Sequence, residues 1–118
     1  MSGSDEYGIA FTPAARGDLR EIARFMAGVR GNDDATALVR SINDHVMALR
    51  TFPLRGAVPE EAHDMQNRSF RQLVHLDYQI VYTVAAKTVV VLLIADGRRD
   101  MQALLHERGL ALDLAPDP

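Results

Sequence analysis

Apolar residues along this chain recur with two different periods. Tyr7, Ile9 and Phe11 alternate with smaller residues, which predicts a short first strand over residues 7–12. From Thr12 the spacing becomes three and four. Ala15, Leu19, Ile22, Ala23 and Met26 then share one face of a helix. Thr12-Pro13 supplies an N-cap and a first-turn proline. Asp18 and Glu21 fall early, where acid complements the helix dipole, and Gly28 and Gly31 close the element. Asn32-Asp33-Asp34 signals a second start, and Leu38, Val39, Ile42, Val46 and Leu49 form its stripe, with Pro53 as the stop. So few residues separate the two helices that they form an antiparallel hairpin.

Residues 53–68 lose the pattern. Pro53, Gly56 and Pro59 break regular structure, and Glu60, Glu61 and Asp64 keep the stretch solvated, which reads as a long surface loop. Strands follow at residues 70–76, 78–84 and 88–95, joined at Asp77 and at Ala85-Ala86-Lys87, as an antiparallel meander. The last of these is apolar on both faces and belongs at the centre of a covered sheet. A short helix over residues 99–108 ends the pattern. The expected fold class is α+β, in the order β-α-α-β-β-β-α, with the helix hairpin packed on a small, mainly antiparallel sheet. The expected domain covers residues 7–108, between a disordered start (1–6) and a loose tail (109–118).

Composition narrows the chemistry. At 47% apolar, the chain has material for a core without metal or disulfide. It has no cysteine, which excludes disulfides, thiolate catalysis and cysteine zinc sites, and fits a cytoplasmic setting. The polar, acidic start does not look like a signal peptide, and the longest apolar run is far below the ~20 residues that span a bilayer. His45, His63, His75 and His106 lack metal-ligand spacing, so neither metal nor cofactor is expected. Net charge is −3, which argues against a general affinity for nucleic acid. Local arginine clusters remain: Arg68 with Arg71, and Arg98 with Arg99. Tyr78 and Tyr82 share a strand face and read as core; His75 reads as a strand residue.

Several motifs, in this order, resemble the RelE/ParE toxins of type II toxin–antitoxin modules. Phe11-Thr12-Pro13-Ala14-Ala15 looks like the family's opening. Phe52-Pro53 with Arg55-Gly56 is similar to its loop after the second helix. Arg71-Gln72-Leu73 and Tyr78-Gln79-Ile80-Val81-Tyr82 resemble its strand pair, and Gly97-Arg98-Arg99-Asp100 its ending, with Asp96 where the family often has His. The resemblance implies an antitoxin partner, a toxin–antitoxin hetero-oligomer, and one of two lethal targets. ParE-type members poison DNA gyrase; RelE-type members cut messenger RNA on the ribosome. No catalytic residue is assigned. Arg71, Arg99 and Asp96 are the candidates for a nuclease centre; Arg68, Arg71, Arg98 and Arg99 are the candidates for contact with target or antitoxin. Positions where RNA-cutting members carry basic or tyrosine side chains read Leu73, Gln79 and Leu105 here, so the resemblance leans towards a ParE-type, non-nuclease toxin. An inactive module that only binds its antitoxin is the third reading.

Overall fold

Thr12 turns the first strand into the first helix. Its Oγ1 accepts a hydrogen bond from the Ala15 amide at 3.1 Å, and Pro13 takes the first helical position. In the computed structural model, which describes residues 6–57, 70–97 and 99–108, β1 spans Gly8–Phe11 and α1 spans Pro13–Arg30. Gly28 does not stop α1. Gly31 does, at φ 100°, a left-handed conformation open to a residue without Cβ. Its amide closes α1 on Ala27 O (2.9 Å) and its carbonyl accepts from Ala35 N (3.1 Å), so one residue joins two helices. α2 (Asn32–Met47) therefore starts on Gly31, and Asp33 and Asp34 fall in its first turn. Pro53 is not its stop. A 3-10 turn over Ala48–Arg50 follows Met47 and keeps Leu49 buried, extending the apolar stripe.

β2 (Phe70–His75), β3 (Tyr78–Ala85) and β4 (Thr88–Asp96) form the meander. β1 pairs in parallel with β4, giving one four-stranded sheet in the order β1-β4-β3-β2. The doubly apolar strand is thus interior, as its sequence requires. Its register on β3 slips: Val81 faces Leu93, but Tyr82 faces Val91. Leu92 is the extra residue of a β-bulge. The bulge reverses the alternation along β4, so that Val89, Val91 and Ile94 join one core while Leu93 and Ala95 join the other.

The hairpin covers the first face. Ala15, Leu38, Ile42 and Val46 pack on Leu73, Ile80, Tyr82, Val89, Val91 and Ile94. Each fully buried leucine or isoleucine stabilises this layer by about 1.5–3 kcal/mol. A last helix, α3 (Met101–Glu107), packs on the second face with Met101, Leu104 and Leu105, against Phe70, Val81, Leu93 and Ala95. Asp100 caps it, accepting from Ala103 N at 3.1 Å.

Candidate functional site

β2 is an edge strand, and the chain after α2 lies along it. Ala57 and Gln72 exchange backbone hydrogen bonds of 3.1 and 2.7 Å. Arg71 reaches from β2 to this segment, its Nη1 donating to Gly56 O (2.8 Å) and Leu54 O (3.3 Å). Tyr82 is fully buried, yet its hydroxyl is satisfied: it accepts from Gly56 N at 3.0 Å and donates to Pro53 O at 2.8 Å. Burial raises the Tyr82 pKa above its ordinary value; the Gly56 amide, Arg71 and Arg55 oppose that shift.

One turn further along the seam, His75 on β2 stacks on His45 of α2, ring centroids 4.7 Å apart. His75 Nε2 lies 3.0 Å from Ser41 Oγ. Burial depresses the His45 pKa, and the charges of His75 and Arg55 add to the effect. Arg55 and Arg71 thus bring two positive charges to the segment that lies along β2.

The other sequence candidates lie elsewhere. Asp96 ends β4 opposite Tyr78, which itself faces His75. Arg99 is exposed, its amide donating to Asp96 O at 2.9 Å. Asp96 is therefore level with His75, four positions along from Arg71 and two strands across. That separates the Arg71 and Asp96 backbones by roughly 16 Å. Asp96 and Arg99 are joined by that backbone hydrogen bond, while Arg71 stands apart from Asp96. Arg68 and Arg98 lie outside the described residues, as do Glu60, Glu61, His63 and Asp64. Leu73 and Leu105 are buried in the two cores. Among the described residues no group of three His, Asp or Glu could hold a metal ion, and no helix is long and apolar enough to cross a membrane.

The outer face of the hairpin carries an open groove of about 700 Å³. Ala23, Ala27, Ala35 and Val39 line it with small apolar side chains, and Arg20, Arg24 and Arg40 line it with charge.

Sequence reading missed one cluster altogether. Asp18 is not a first-turn acid; the first turn of α1 carries none. Its carboxylate accepts from Ile94 N (2.9 Å) and from Arg108 Nη2 (2.6 Å), while Arg108 Nη1 donates to Leu92 O (2.9 Å). The pair satisfies the backbone that the bulge exposes where β4 runs on beyond β1. Glu21 pairs with Arg24 at the surface, both about three-quarters exposed, which contributes little.

The comparisons with known proteins agree with this architecture. Residues 9–101 match the family model described as the ParE toxin of the type II toxin–antitoxin system parDE. The chain belongs to the ParE toxin family. A chromosomal ParDE toxin–antitoxin system from P. aeruginosa contains a chain of similar fold: TM-score 0.65, 21% identity, 78% of this chain and 97% of that one covered. The RelBE2 toxin–antitoxin complex of Mycobacterium tuberculosis contains another, with TM-score 0.57, 19% identity, and 77% and 98% covered. A search of curated proteins found no match. This ParE-family chain is accordingly the toxin component of a type II module, and its α+β fold is shared with both neighbours.

Proposed function

We propose that this ParE-family toxin acts in the cytoplasm by inhibiting DNA gyrase without cutting nucleic acid, and that a cognate antitoxin neutralises it. The observation that carries the non-nuclease reading is the separation of Arg71 from Asp96. RNA cleavage needs a base for the 2′-hydroxyl and cations for the developing phosphate charge at one point. Arg71 is instead committed to the Leu54 and Gly56 carbonyls. The family match supports the ParE-type target.

Both structural neighbours come from toxin–antitoxin systems, which supports an antitoxin partner here. The hairpin groove has the chemistry to receive one. Its alanine floor admits the apolar face of an amphipathic helix, and Arg20 and Arg40 attract carboxylates beside that face. An acidic segment laid there gives a toxin–antitoxin hetero-oligomer.

The test incubates the purified chain with gyrase and relaxed plasmid and, in parallel, maps message ends in cells expressing it. Loss of supercoiling with intact messages is the expected result. Cuts at codon boundaries with full gyrase activity would overturn the proposal in favour of the ribosome-dependent nuclease. Unimpaired growth with soluble, folded chain present would favour the inactive antitoxin-binding module.

A further inference from the structure

The segment from Thr51 to Ala57 combines two properties that rarely coincide in a surface loop. It is firmly fixed. Tyr82 and Arg71 hold the backbone at Pro53, Leu54 and Gly56, and Ala57 pairs with Gln72. The fit at Gly56 is tight: a Cβ there would stand 2.7 Å from Tyr82 Oη and 2.8 Å from Gln72 O. Yet its largest side chains gain nothing from the fixing, for Phe52 is 65% and Leu54 60% exposed. With Thr51, Pro53 and Arg55 they line an open apolar cleft. Fixed apolar side chains facing water are poor for a free monomer and good for binding, because the ordering cost is met before the partner arrives.

Surface chemistry indicates the partner. Thr36 and Asn43 line the hairpin groove, and Met47, four residues beyond Asn43, continues their stripe on α2 and is 45% exposed. The 3-10 turn follows, and Phe52 N donates to Ala48 O at 3.3 Å, one turn on. Partly apolar surface therefore runs from the groove through Met47 towards the loop. Positive charge is present at both ends: Arg20 and Arg40 line the groove, Arg55 is exposed on the loop, and no acidic residue lies between Thr51 and Ala57.

We propose that the loop is a second anchor for the acidic antitoxin segment, which leaves the open end of the groove, sets apolar side chains on Phe52 and Leu54, and offers a carboxylate to Arg55. This inference rests on the antitoxin reading of the groove. It places a compact hot spot where side chains are already ordered, with the groove supplying area around it.

The test titrates the full chain with the product of the reading frame adjacent to its own, comparing wild type with the Phe52→Ser/Leu54→Ser pair and with Arg55→Glu. All three positions are exposed, so the fold is expected to survive, which a melting curve verifies. Binding at least tenfold weaker for the pair, and weaker for Arg55→Glu, is expected. Wild-type affinity in both variants would overturn the inference and leave the groove reading standing. Absence of any binding by wild type would instead overturn the antitoxin reading on which it rests. If the pair kept its antitoxin affinity and lost gyrase inhibition, the loop would belong to the target. If it kept that affinity and abolished self-association of the free chain in sedimentation, the loop would belong to a second copy. Either result would overturn the assignment.

Discussion

His45 and His75 face each other ring over ring across the seam between α2 and β2. Ser41 donates its hydroxyl proton to Leu38 O at 2.9 Å, so its oxygen is left to accept from His75 Nε2. The hydrogen-bond network therefore assigns the proton to Nε2 of His75. A charge on His45 would be paired with no acid among the groups that perturb it: burial, His75 and Arg55 all hold its pKa below the ordinary 6.5. The sign follows from linkage. The unfolded chain binds the proton more readily than the folded one, so the contribution of His45 is complete above 6.5 and is lost as pH falls from there through its lowered folded value. Urea denaturation at about pH 7.5 and pH 5.5 is predicted to show a larger loss of stability for wild type than for His45→Gln. Equal losses would assign the acid sensitivity to other groups. Neither histidine stood out in the sequence, because their pairing depends on α2 and β2 meeting, and the two residues are thirty positions apart.

At the scale of elements, the meander is joined by two-residue turns with a non-glycine residue in the left-handed region of each, Leu76 at φ 56° and Ala86 at φ 55°. A side chain there costs about 1–2 kcal/mol. Glycine relieves that cost but returns about 0.4–1 kcal/mol through the freer unfolded chain. Ala86→Gly, at an exposed position, is therefore predicted to stabilise the fold by up to about 1 kcal/mol, read as a raised urea midpoint with unchanged slope. A lowered midpoint would mean that the methyl group makes a contact worth more than the strain. Strands and helices were legible in the sequence wherever apolar and polar positions alternate with a clear period. The bulge at Leu92 was not. β4 is apolar almost throughout, and one extra residue leaves no mark on a run that has no alternation to interrupt. The early acids of α1 misled for a related reason: Asp18 finds its partner Arg108 ninety positions away, beyond the reach of any local pattern.

Across the whole molecule, Asp18 and Arg108 tie the first helix, the central strand and the last helix at one point. They are 17% and 24% exposed, and each also bonds the backbone of the bulge, so the pair contributes more than a surface ion pair does. Asp18→Asn keeps an acceptor for the Ile94 amide and removes the charge facing Arg108. A loss of about 1.5–3 kcal/mol is predicted, and a double-mutant cycle with Arg108→Met should return most of it as coupling. A coupling near zero would refute the structural role. Much the same holds for the candidate site: Arg71 could be singled out from its strand and its family-like setting, but its work could not, since the Leu54 and Gly56 carbonyls it holds lie in a stretch without period. The parallel pairing of β1 with β4 carries one more consequence, for the order in which the chain is made. Gly8 leaves the ribosome eighty residues ahead of its partner Thr88. Until β4 has emerged, the apolar stripe of the hairpin has no central strand to cover, and closure of this loop adds to the folding barrier. Synthesis that stops short of β4 yields a hairpin without a sheet, so the toxin's architecture exists only once β4 itself has been made.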